Sequence, residues 1–254
     1  MTDDAPHRQV GVRVTGGPRA RARAAGVFYL LEGATSAFGA LHVVSEVTVS
    51  GNAAATAANV VAHQPLMWLG FAAALVAVAC HIIYTVLFYE LFRPVSRTLS
   101  LVAAAMSLVA AAIQAGAALF QAAPLLTVRG SGYLNAFTAG QRDALTLAFL
   151  KLNMQAFDIY LVFFGMWLTL IGYLIVRSTF IPWIVGVLAA CGGLCYLILL
   201  APPVANHLYP YYLAPDVIGE PVLLVWLLVV GVSPGRWHQQ ARLRPGSELA
   251  ERAN

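Results

Sequence analysis

Ser100, Ser107, Gln114 and Gln121 recur every seven residues within one apolar stretch, which aligns them on a single helix face. Ala110, Ala111, Ala117 and Ala118 flank that stripe. Such a face either packs tightly on a neighbouring helix, with its amides bonded across the interface, or lines a cavity. The change from Ser to the larger, wetter Gln along the stripe favours a cavity. Titratable groups sit in other apolar stretches. Tyr29, Glu32, Ser36 and Gly39 share one face, and His81 has Tyr84 and Thr85 on its side. Lys151, Gln155 and Asp158 share another face, with Gly165 further along it. In "PDVIGEPV", Asp216 suits a helix N-cap and Glu220 a first turn, where the helix dipole favours an anion, while Pro221 withdraws a backbone donor.

Carboxyl groups held away from water do acid–base chemistry, and the same groups carry protons in transporters. Other chemistries lack their residues. The sequence contains no Gly-rich phosphate loop, no HExxH and no CxxC. His42, His63, His81 and His207 come from different segments and have no ligand spacing. Cys80, Cys191 and Cys195 all fall in apolar runs. Cys191 and Cys195 share a helix face, but two thiols are too few for a soft-metal site, so they read as packing residues. The sequence therefore assigns no metal and no cofactor.

Of the 254 residues, 60% are hydrophobic and 10% are charged, and mean hydropathy is +0.75. A soluble domain carries about 25% charged residues. A soluble globule, a disordered chain and a nucleic-acid binder with a dense basic surface are thereby excluded. Six segments are long enough to cross hydrocarbon, at 24–45, 66–92, 99–124, 152–176, 183–205 and 216–233. The first reads as a retained helix rather than a cleaved signal, because Glu32 interrupts it and no small-residue cleavage site follows. The expected fold is an all-α bundle of six transmembrane helices spanning 24–233. Polar, disordered tails at 1–23 and 234–254 flank it, and short extra helices occupy the outer loops. "AATAANVVAHQP" suits a surface helix. Thr138 and Gln141 suit a capping box that starts a helix running straight into the fourth span.

Arginine orients the bundle. Arg8, Arg13, Arg19, Arg21, Arg23, Arg93, Arg97, Arg177, Arg236, Arg242, Arg244 and Arg252 fall on one side, against Arg129, Arg142 and Lys151 on the other. Both termini are thus expected in the cytoplasm. Glu32 lies nine residues past Arg23, roughly 12–14 Å into the membrane at ~1.5 Å per residue. It must be protonated, paired or in a wet pocket. Glu90, three residues before Arg93, reads as a surface pair at the inner edge. By depth, His42, Gln121, Asp158 and Glu220 occupy the outer third and Glu32, His81 and Gln114 the middle. That distribution describes a polar funnel, open outside and closed below.

The segments "AGVFYLLEGATSAFG", "NAAATAANVVAH", "LFYELFRPVSRTLSL", "FDIYLVFFGMWLTLIGYLIVRSTFIPWIVGVLAACGGLCYLI" and "IGEPVLLVWLLVVGV" occur in that order. Together they resemble the bacterial integral membrane family catalogued as domain of unknown function 4386, over about residues 22–233. The resemblance implies an all-helical, multi-pass protein of the bacterial inner membrane and implies no activity. It also implies Asp at the place of His81 and Arg at the place of Ser107 in other members, an ion pair that this chain replaces.

Three functions fit these residues. The first is a metal-independent isomerase or cyclase acting on an isoprenoid or lipid-like substrate. Glu32 or Asp158 would be the acid, with Tyr29, His81, Gln114, Gln121, Phe157, Tyr160 and Glu220 around the substrate. Tyr29, Phe157, Tyr160 and Tyr196 would stabilise a carbocation by cation–π contact. The analogy with metal-free multi-span terpene cyclases is one of architecture only. The second is a proton- or cation-coupled binding or transport protein, although no internal repeat marks a transporter. The third is a non-catalytic membrane partner. Membrane lipids and an apolar small molecule are the expected partners, and nucleic acid is not. The arginine count has a direct test. In a cysteine-free background, a cysteine placed at residues 50–60 should react with an impermeant thiol reagent added outside; labelling only from inside inverts the topology.

Overall fold

The computed structural model describes residues 16–128 and 132–243. Its long elements are helices, as hydrocarbon requires of a chain that must satisfy every backbone polar group internally. The spans are α1 (Pro18–Val47), α3 (Gln64–Phe92), α4 (Arg97–Val128), α5 (Ala139–Val176), α6 (Trp183–Leu200) and α8 (Tyr211–Val230). Between and after them lie α2 (Ala53–Ala62), α7 (Pro202–Leu208) and α9 (Pro234–Arg242). Asn52 caps α2, its Oδ1 accepting from the Ala55 amide at 3.0 Å. The Thr138 and Gln141 side chains cap α5 reciprocally, at 3.3 and 2.8 Å.

Three boundaries depart from expectation. The fifth span stops at Leu200 rather than 205. Its last turn tightens over Tyr196–Leu200, and Pro202 and Pro203, which have no amide hydrogen to continue the ladder, begin a separate helix. The sixth span begins at Tyr211, ahead of the expected 216. Asp216 is therefore not the N-cap: Leu213 precedes the α-helical part, Pro215 sits in its first turn, and Asp216 points inward, buried. Glu220 lies a turn further in. The tails are also shorter than expected, because Pro18–Arg23 and Pro234–Arg242 are helical. Arg8, Arg13, Arg129, Arg244 and Arg252, and the rest of the expected tails, lie outside the described residues.

Consecutive spans pack side by side, and the ring closes at its arginine-rich end. There the Arg23 guanidinium donates to the Val229 carbonyl at 3.1 Å, and Gly26 lets α1 approach Leu227 and Leu228 of α8. Helix α9 clasps the same end. Trp237 Nε1 donates to the Leu91 carbonyl at 2.8 Å, and Gln240 bonds both Thr179 and the Arg177 carbonyl. Glu90 pairs with Arg93 at 3.5 Å. Above this rim, Tyr29, Tyr84, Phe88, Phe164 and Trp167 fill the bundle axis, with ring centroids 5.2 Å apart for Tyr84–Trp167 and 5.3 Å for Phe88–Trp167.

Small residues fix the α5–α6 contact. Gly165 faces Gly193 and Gly172 faces Gly186, one antiparallel register repeated two turns apart. A Cβ added at Gly172 would lie 2.5 Å from the Gly186 carbonyl oxygen and from the Ala190 amide nitrogen. Backbone on both sides cannot yield as a flexible side chain would. Gly172→Ala should lower stability by about 1–3 kcal/mol through overpacking. Gly116→Ala, where nothing lies within 4 Å of the added carbon, should be neutral or raise stability by up to ~1 kcal/mol. Thermal unfolding of the two variants in one detergent checks the contrast.

Candidate functional site

Glu32 sits midway along α1 and is 2% exposed. Three other spans surround its carboxyl. The Gln114 amide of α4 donates to Oε1 at 2.9 Å, and the Tyr160 hydroxyl of α5 donates to the same oxygen at 3.1 Å. His81 Nδ1 of α3 lies 3.8 Å from it. Among the described residues, no hydrogen bond reaches Oε2. One carboxyl oxygen is fixed and the other is free.

Behind this carboxyl runs a chain of hydroxyls whose direction follows from counting protons. Thr85 Oγ1 donates its proton to the His81 carbonyl at 2.8 Å. The 2.6 Å contact between Thr85 Oγ1 and Ser107 Oγ is then a bond donated by Ser107. Ser107 Oγ is left to accept from His81 Nε2 at 3.0 Å. The Tyr84 hydroxyl lies 2.9 Å from His81 Nδ1 and 3.1 Å from Nε2, so both ring nitrogens have a hydroxyl within hydrogen-bonding distance. Positions 81 and 107 are thus in direct contact.

The seven-residue stripe turns out to be packing. Gln114 is used on Glu32 and on Ser36, and Gln121 Nε2 donates to the Gly39 carbonyl at 2.8 Å. That carbonyl belongs to a π-helical stretch, Ala37–Val43, where the widened turn redirects backbone groups. Gly39 and Gly70 permit the close crossing of α1 and α3; a Cβ on Gly39 would lie 2.7 Å from the Gly70 carbonyl oxygen. Ser100 Oγ is buried with no partner among the described residues.

The outer halves of α1, α5 and α8 part around a cavity of about 630 Å³. Glu32, Ser36, Phe157, Asp158, Tyr160, Tyr196 and Glu220 line it, with Asn206, Tyr209 and Tyr212 from the connection before and into α8. A recess of about 970 Å³ adjoins it through the shared walls Leu41, Met154, Phe157, Asp158 and Tyr209, and carries His42, Lys151 and Gln155. Leu41, Met154 and Tyr209 are exposed at that junction. Of the residues singled out in the sequence, Glu32, Asp158, Phe157, Tyr160 and Glu220 come together on this cavity. Tyr29, His81, Gln114 and Gln121 stand behind its wall, buried in helix interfaces.

Asp216 is the group that sequence reasoning placed in the wrong role. The Tyr196 hydroxyl donates to its Oδ2 at 2.6 Å, and Glu220 lies beside both Asp216 and the Tyr29 hydroxyl. Gly192 leaves room for it on α6. The available signal was the spacing of Asp216 and Glu220, four residues apart on one helix face. Among the described residues, no three His, Cys, Asp or Glu side chains gather as a metal site.

The family model for the domain of unknown function DUF4386 matches residues 24–231, and the chain belongs to that family. Comparison with curated proteins and with solved structures found no match.

Two serines of one stripe should respond oppositely to the same substitution. Ser107→Ala removes the hydroxyl that meets both His81 Nε2 and Thr85 Oγ1 in a dry interface and should cost about 1–3 kcal/mol. Ser100→Ala removes a buried hydroxyl that bonds nothing described and should be neutral or stabilising. Equal melting shifts for the two variants would show that the Ser107 contacts to His81 and Thr85 carry no net stability.

Proposed function

We propose that this DUF4386 protein admits an apolar, lipid-like molecule from the outer face of the membrane and transfers a proton to or from it through Glu32, without a metal. One observation carries this reading. Glu32 lines the cavity and accepts from Gln114 and Tyr160 on one oxygen only, with no described hydrogen bond to the other. A general acid or base needs that arrangement: a positioned carboxyl with one oxygen open to the reacting atom. Asp158 borders the same cavity nearer its mouth.

The orientation follows from charge. Arg19, Arg21, Arg23, Arg93, Arg97, Arg177, Arg236 and Arg242 belong to the end that the aromatic rings close, so the cavity faces the extracytoplasmic side. Its walls suit proton-initiated isomerisation or cyclisation. Phe157, Tyr160 and Tyr196 present rings that stabilise a developing positive charge. Leu41, Met154 and Leu161 supply an apolar surface for a hydrocarbon chain. The proton-coupled binding alternative uses the same carboxyls, and the three of them on one cavity favour it over a purely structural role.

Solvent isotope labelling tests the reading without a known substrate. The protein is reconstituted with a bacterial membrane lipid extract in deuterated water, and the lipids are compared by mass spectrometry. A lipid-class ion should gain deuterium or change isomer ratio with the parent protein. Glu32→Gln, which keeps the shape and removes the proton, should lower that rate by about 10²-fold or more, and Asp158→Asn should reduce it as well. Identical spectra for the folded parent and both variants would leave the carboxyls structural.

A further inference from the structure

We infer that the amphiphile this cavity accepts carries a basic, positively charged head, a protonated amine or another organic cation; this rests on the reading of the cavity as a ligand site. Three spans each place one carboxyl residue on its wall: Glu32 from α1, Asp158 from α5 and Glu220 from α8. Its lining contains no Lys, Arg or His. Lys151 stands outside, in the adjoining recess. His81 Nδ1 lies 3.8 Å from Glu32 Oε1 from behind the wall, and Lys151 and Asp158 both line the adjoining recess.

Two independent features extend this from a charge count to a binding site. Glu32 is 2% exposed, yet among the described residues its Oε2 accepts no hydrogen bond and Glu32 lines the cavity. Aromatic rings line the same cavity. Phe157 and Tyr160 have ring centroids 5.1 Å apart, and Phe164 and Tyr196 lie further in, 5.9 Å apart. Rings next to carboxylates in a low-dielectric pocket are the surroundings that attract an ammonium or a delocalised cation. An ammonium brings three donors for the open oxygens and no acceptor. A fatty acid or a phosphate head would bring further acceptor oxygens to a wall that already holds three carboxyls and no Lys, Arg or His donor. A neutral alcohol would offer one donor and no neutralisation.

The same chemistry can come from a long-chain amine of the membrane or from a free hydrophobic cation. Competition distinguishes them. Radiolabelled tetraphenylphosphonium is bound to the protein in nanodiscs of neutral lipid, and dodecylamine, dodecanol and dodecanoate compete for it. Dodecylamine should displace the probe at a concentration about tenfold or more below dodecanol, and dodecanoate should be weakest, as expected for hydrogen bonds to charged groups. Tighter binding of dodecylamine than of tetraphenylphosphonium assigns a single-chain membrane amine; the reverse assigns a compact free cation. Asp158→Asn with Glu220→Gln should weaken the probe by about tenfold without changing dodecanol retention. Equal displacement by amine and alcohol in the parent protein would overturn the charged-head inference while leaving acid–base chemistry on a neutral lipid intact. Amine selectivity together with unchanged isotope exchange in Glu32→Gln would do the opposite.

Discussion

Hydrocarbon offers no partner to a carboxyl group, so the protein has to supply one, and at Glu32 the supply comes from three separate spans. Gln114, Tyr160 and His81 belong to α4, α5 and α3, and each converges on a side chain of α1. A desolvated, unpaired polar group costs about 2–7 kcal/mol. That penalty makes the relative height of four helices a matter of ångströms rather than of general hydrophobic contact. Lipid tails are as apolar as the leucines they touch, so van der Waals packing alone specifies register weakly. The Glu32 junction supplies what packing lacks. The Gln121 bond to the Gly39 carbonyl repeats the device about two turns further out.

The regular stripe on α4 shows how one periodicity serves several ends. Ser107 orients His81, Gln114 orients Glu32, and Gln121 pins the widened turn of α1. None of the three touches the cavity, yet each fixes something that does or that stands next to it. The site is accordingly layered. Carboxyls and rings face the space, amides and hydroxyls hold them from behind, and close glycine crossings bring the layers within hydrogen-bonding distance.

Much of this was legible in the sequence, and the limits are instructive. The spans, the stripe, the buried position of Glu32 and the Thr138 capping box follow from apolar length, a period of seven and a short-range capping pattern, all local signals. Whether Gln114 faces a void or a carboxyl is not local, because it depends on which helix lies opposite. A stripe of amides reads alike in both cases. Asp216 misled for a related reason. Its position after Pro215 suits a cap, and only the turn at Tyr211–Leu213 and the Tyr196 hydroxyl 20 residues earlier reveal it as a buried acceptor. The break after Leu200 was written in two adjacent prolines, but the apolar run around them concealed it. The α9 clasp is short and polar, so composition assigned it to a tail, although Trp237 and Gln240 anchor it.

The clasp and the aromatic fill lie at the same end, and together they give the bundle a handle and a pair of jaws. The first and sixth spans are tied where Arg23 meets Val229 and part where Glu32 and Glu220 face the cavity. The tied end carries hydrogen bonds and packed rings, while the opposite ends of these spans are separated by the cavity. The space between the two spans therefore has one end closed by packed rings and another walled by the exposed side chains Leu41, Met154 and Tyr209.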